Sequence, residues 1–121
     1  VGIIVVQQGR FSYVNPAALE LTGYAAEEML GHEFAPLIHP EDLPLVADRH
    51  VRRLRGEAIE PRYDFRVIRR DGRIAWVQLA AVVIPWEGAT ATLSFINDIT
   101  DHCGNFGRIL TRSINKLSNI F

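Results

Sequence analysis

From residue 59 onward the chain reads as strand, turn, strand, turn, strand, and this run constrains the fold more than any other feature. Tyr63, Phe65 and Val67 alternate with Arg62, Asp64 and Arg66, the period of a half-buried strand. Asp71-Gly72 supplies a hairpin turn, Ile74 to Pro85 reads as the next strand, Glu87-Gly88 turns again, and Ala89 to Ile99 closes the run. Connections this short join antiparallel strands, because a parallel pair needs a crossover of a dozen residues or more. The other end repeats the device, with Val1 to Val6 and Phe11 to Val14 turning about Gly9. No parallel crossover repeat is present. The expected class is therefore α+β, an antiparallel sheet with short helices gathered on one face.

The helices lie between the two hairpin regions. Asn15 caps the first, Pro16 takes its first position, where the missing N–H costs nothing, and Gly23 ends it. A second short helix is expected from about Ala26 to Leu30, stopping at Gly31. Phe34 to Ile38 is a short apolar piece closed by His39-Pro40. Pro40 then opens a longer helix, from about Glu41 to Leu54, ending at Gly56. Its buried side is expected to hold Leu43, Val46, Val51 and Leu54, with Arg49, Arg52 and Arg53 turned away.

A length of 121 residues fits one domain. The 13 basic and 14 acidic side chains leave a net charge of -1, which argues against a nucleic-acid partner. That total hides an uneven distribution. Residues 1–101 hold 10 arginines against all 14 acids, a net -4, whereas residues 102–121 hold three cations and no acid, a net +3. The arginine groups at Arg49, Arg52, Arg53 and Arg55, and at Arg66, Arg69, Arg70 and Arg73, read as solvated surface with local ion pairs. No apolar run approaches the roughly 20 residues a membrane span needs, and no secretory signal pattern is present. Cys103, the single cysteine, excludes an internal disulfide and suits a reducing compartment, so a cytoplasmic location is expected. The chain opens at Val1 directly in strand-like sequence, which suggests a module of a longer protein.

Catalytic signatures are missing. There is no Gly-rich phosphate loop, no Gly-x-Ser-x-Gly elbow and no His-Glu-x-x-His pair, so no catalytic residue is assigned. His39, Glu41 and Asp42 lack a further ligand at metal-binding spacing, so no metal site is expected.

Seven short motifs then occur in order: Tyr13-Val14-Asn15-Pro16-Ala17, Thr22-Gly23-Tyr24, Met29-Leu30-Gly31, His39-Pro40-Glu41-Asp42, Arg69-Arg70-Asp71-Gly72-Arg73, Trp76-Val77 and Asn97-Asp98-Ile99-Thr100. Together they make residues 1–101 resemble a PAS domain. The resemblance implies a five-stranded sheet in the order 2-1-5-4-3, with the helices forming a pocket over its inner face. It also implies a sensory or dimerisation role inside a larger signalling protein, with histidine kinases and diguanylate cyclases as the usual bacterial outputs. Flavin-binding light sensors of this family use a mid-domain cysteine, and residues 26–55 contain none. Haem sensors of the family draw an axial histidine from the long helix, which makes His50 a weak candidate and a haem gas or redox sensor the alternative reading. No cofactor is expected; a small ligand of unknown identity remains open.

The expected pocket wall is Met29, Phe34, Ile38, Val46, Phe65, Val67, Leu79, Ala81, Leu93 and Phe95. Such a wall either encloses a small ligand or is a filled core, and its few polar groups favour the filled core. On the opposite face, Ile68, Trp76 and Ile96 form a candidate contact surface for a homodimer or for other domains of the same protein. At the exit, the resemblance makes Asp98, Ile99 and Thr100 a hinge between sheet and output, with Asp98 anchoring the junction and Thr100 capping the output segment. Residues 102–121 read as a linker and an amphipathic basic helix. Gly104 and Gly107 interrupt first, then Leu110, Ile114, Leu117 and Phe121 come at heptad spacing, beside Arg108, Arg112 and Lys116. Lys116 is the only lysine in the chain, and that shift in composition leaves open a tail foreign to the domain.

Overall fold

The computed structural model describes residues 1–100. Five strands make one antiparallel sheet: β1 (Gly2–Gln7), β2 (Arg10–Val14), β3 (Arg62–Ile68), β4 (Ile74–Trp86) and β5 (Ala89–Asp98), in the order β2-β1-β5-β4-β3. Helices α1 (Pro16–Thr22), α2 (Ala26–Met29) and α3 (Leu43–Leu54), with a 3₁₀ turn at Ala35–Leu37, fill the chain between β2 and β3. The expected fold class and strand order are present. The expected linker and tail, residues 102–121, lie outside the described residues.

Two turns set the sheet's twist. Gln8 and Gly9 both take positive φ (56° and 75°), as do Glu87 and Gly88 (46° and 80°). This backbone matches the right-handed twist of the strands it joins, which is why a two-residue loop suffices. β4 outruns its neighbour: β3 pairs it only from Ile74 to Ala80. Pro85 lies in the remaining stretch, where a missing N–H costs no bond to β3.

The helices are tied to the sheet by polar atoms at their ends. The Asn15 side chain accepts from the Ala18 N–H at 2.9 Å and from the Ile3 N–H at 2.8 Å, so one cap serves α1 and β1 together. Gly2 permits the approach, since a Cβ there would stand 3.3 Å from the Ala18 Cα. The long helix begins later than expected. His39-Pro40-Glu41-Asp42 is a turn that covers the open edge of β3: the His39 N–H donates to the Arg66 carbonyl at 3.0 Å, and the Arg66 N–H donates to Asp42 Oδ2 at 2.8 Å. α3 begins at Leu43, with Pro44 in its first turn.

One expected face is shifted and another is reversed. On α3, Val51 and Leu54 are more than 40% exposed, and the inward stripe is Leu43, Val46, His50 and Arg53. On β5, Leu93 and Phe95 lie on the outer face, while Thr92, Ser94 and Ile96 point inward. The register settles this. Ile96 stands opposite Leu79 and Ser94 opposite Ala81, and directly paired residues share a face. Leu79 and Ala81 are buried beneath the helices, so their partners are too. Two groups of buried side chains make the core, one around Phe65 and Val77 and one around Ile4 and Met29, and Phe34 and Ile96 pack against both.

Candidate functional site

Between the helices and the inner face is a cavity of about 70 Å³. Met29, Phe34, Ile38, Val46, Phe65, Val67 and Leu79 line it, as does Ile96. Ala81 is buried on the same face but is not part of the wall, and Leu93 and Phe95 are on the far side of the sheet. The wall also holds polar side chains: His50, the weak haem-ligand candidate, and, outside the expected set, Thr22, Arg53, Tyr63, Thr92 and Ser94. For His50 and Arg53 a signal was available, because they continue the 3, 4, 3 spacing that starts at Leu43 and Val46. An arginine on that stripe argued against reading it as buried.

The polar groups converge. The His50 ring meets Phe34 edge-on at 5.2 Å between centroids, and burial, then the Arg53 charge, hold its pKa below the ordinary histidine value. Burial pushes the Tyr63 hydroxyl upward, against the opposing pull of the Arg53 and Arg49 charges. The Arg49 guanidinium sits over the Tyr63 ring at 4.6 Å, and the Arg53 guanidinium stands beside its hydroxyl. Arg53 is 9% exposed, and its Nη2 is buried with no hydrogen-bond partner among the described residues. This arginine was expected on a solvated face and is instead part of the cavity wall.

A haem does not fit this site. Cofactor-sized molecules occupy pockets of roughly 300–1,000 Å³, several times the volume available beside His50.

β5 connects the cavity to the exit of the domain. Beyond Ile96, Asp98 Oδ2 pairs with Arg69 Nη2 at 2.7 Å, and Asp98 Oδ1 accepts the Thr100 N–H at 2.8 Å. The Ile99 N–H donates to the Trp76 carbonyl at 2.8 Å, and the Trp76 N–H donates to Thr100 Oγ1 at 2.9 Å. Ile99 is buried. The last described residues are thus strapped to the β3–β4 hairpin and the start of β4. Thr100 commits its hydroxyl to Trp76, and the segment it would cap lies outside the described residues.

The outer face differs from the expected contact cluster. Ile96 is not on it. Ile68 is, beside its partner Ile74. Trp76 is also on it but carries Arg66 over its ring at 5.2 Å. Arg66 is held there by Asp42 through bonds of 2.8 and 3.0 Å and by Glu41 at 3.1 Å, and these carboxylates raise its pKa further. The open apolar area lies nearer the middle of the sheet, where Tyr13 is 41%, Val82 50% and Phe95 38% exposed. The outward positions of β1 and β5, and of β4 from Gln78 to Ile84, include no charged residue.

Comparison with known proteins agrees with this architecture. The sequence pattern described as PAS fold matches residues 11–96. The probable diguanylate cyclase DgcE of Escherichia coli is 30% identical over 98 residues, which span 81% of this chain and 9% of that protein. The PAS domain of an HTR-like protein from Haloarcula marismortui superposes with a TM-score of 0.67 at 24% identity, covering 81% of this chain and 80% of that one. A sensory box histidine kinase/response regulator from Burkholderia thailandensis gives 0.69 at 23% identity, covering 98% and 90%. With the family pattern spanning most of the sheet, the helices and the cavity between them, this chain belongs to the PAS fold family.

Proposed function

We propose that the domain is a non-catalytic input module of a larger bacterial signalling protein, of the histidine kinase or diguanylate cyclase type. The occupancy of the cavity, or the packing of a neighbouring domain, is read by β5 and passed through Asp98, Ile99 and Thr100 to an output beyond this chain. One observation carries the reading. The same strand places Thr92, Ser94 and Ile96 in the cavity wall and, two residues later, Asp98 in an ion pair with the β3–β4 hairpin. A shift of that strand at the cavity is therefore delivered directly to the exit. The single cysteine supports a cytoplasmic setting, and among the described residues no helix is long and apolar enough to cross a membrane.

The outer face is read as the contact surface for a second copy of this chain. A twofold interface sets each patch against itself, so like charges on it would repel. The patch around Tyr13, Val82 and Phe95 avoids that by holding no charge, while keeping aromatic area to bury. Asp98→Ala in the full-length protein tests the relay: output is expected to uncouple from input while the domain stays folded. Unchanged signalling in that variant would overturn the relay, and a chain that sediments as a monomer at high concentration would overturn the pairing.

A further inference from the structure

The cavity has an electrostatic imbalance that a filled core would not tolerate. Arg53 brings a guanidinium into the wall: it is nine-tenths buried and, among the described residues, no carboxylate lines the cavity with it. Burying an ion costs several kcal/mol unless an opposite charge or a full set of hydrogen bonds compensates. Compensation is incomplete here. Tyr63 stands beside the guanidinium, but Nη2 has no partner among the described residues. His50 adds no negative charge, and Arg49 over the Tyr63 ring adds a second positive one. The rest of the wall is apolar, apart from the hydroxyls of Thr22 on α1 and of Thr92 and Ser94 on β5.

Building on the sensory reading, the geometry points to a short-chain monocarboxylate as the ligand of this cavity, its carboxylate paired with Arg53 and its hydrocarbon body against Val46, Leu79 and Ile96. A carboxylate offers two acceptor oxygens to a guanidinium, in the fork geometry that pairs these groups most strongly. A phosphate would bring close to two charges into a wall with one buried guanidinium and little else to solvate it. The volume limits the body. A water-sized group needs roughly 10–15 Å³ of such space, so the cavity takes about five to seven of them, the heavy-atom count of a carboxylic acid with about three to five carbons. Ile96 and Ser94 sit under that body on the strand that leads to Asp98, so binding presses on the element that ends at the exit.

The test uses sodium butanoate against 1-butanol, which has the same length and no charge, titrated into the 121-residue chain by calorimetry and followed by thermal melting. Butanoate is expected to bind saturably and at least 10-fold more tightly than butanol, and to raise Tm. Arg53→Met is expected to erase that preference while melting no lower than the unliganded parent, because it removes an uncompensated buried charge. Arg53→Lys, which keeps the charge, retains a reduced preference. Equal binding of acid and alcohol, a preference that survives Arg53→Met, or no butanoate binding would each overturn the proposal. Binding of butanol alone would do so while leaving the sensory reading intact. Unchanged output in Asp98→Ala would instead remove the sensory reading whatever the cavity binds.

Discussion

On the inner face of the sheet Phe65 and Val77 are almost wholly buried, while on the outer face Val82 and Phe95 stand half and more than a third exposed. In the sequence the two rows look alike. β4 runs Leu79-Ala80-Ala81-Val82-Val83-Ile84 without a polar residue to mark either side. The difference arises because all the described helices lie between β2 and β3 in the chain and cover one face. That face carries the cavity and a buried cation. The other is uncharged through its middle and keeps its apolar area uncovered by any of those helices. Apolar character alone therefore does not say which face is core and which is left uncovered by the helices.

Substitutions can break that contrast. Phe65→Ala should be the most damaging, costing about 3–5 kcal/mol of stability in chemical denaturation, because its ring is 2% exposed in the packed half of the core. A loss under about 1 kcal/mol would mean that the inner face is far looser than its burial implies. Asp42→Ala comes next. It strands an edge N–H of β3 and takes two bonds from the Arg66 side chain, leaving the one to Glu41, a loss of about 2 kcal/mol by the same measurement. It should also uncover Trp76, visible as a red shift in tryptophan emission, and an unshifted spectrum would count against Arg66 as its cover. Phe95→Glu acts on the other face. Stability should change by less than about 1 kcal/mol, while sedimentation should show any pairing lost, since two copies would then set carboxylates against each other. The smallest effect concerns pH. His50 is held below its ordinary pKa, so between the folded and the unfolded value the unfolded chain binds more protons. Stability should be level above about pH 6.5, the unfolded value, and fall as pH drops below it. His50→Gln should flatten that slope, which thermal melts across pH would show.

The hairpins and the Asn15 cap were readable because each depends on neighbours close in sequence, whereas the strand order, with β1 beside β5, came only from the family motifs. Gly9, Gly72 and Gly88 mark turns wherever they stand, and Asn15-Pro16 can start a helix without help. Part of the pocket wall was readable for a similar reason, since Phe65 and Val67 alternate cleanly with charged residues. β5 was not, because Thr92-Leu93-Ser94-Phe95-Ile96 offers small hydroxyl residues and large apolar ones on alternate positions. Ordinary hydrophobic reasoning buries the large set. The register against β4 buries the small set, along with Ile96. Arg53 was missed by the same logic, as a cation that local pattern sends to water and the fold places in the cavity.

By itself the sequence determined the antiparallel hairpins, the run of short helices between them and the family to which they belong, since turn chemistry, capping and periodicity act over a few residues. Which face of β5 and of α3 turns inward was decided only by the tertiary structure. That choice rests on strand register and on helix placement across the sheet, interactions between residues up to dozens of positions apart. It is also what makes the cavity charged and leaves the middle of the outer face without charge.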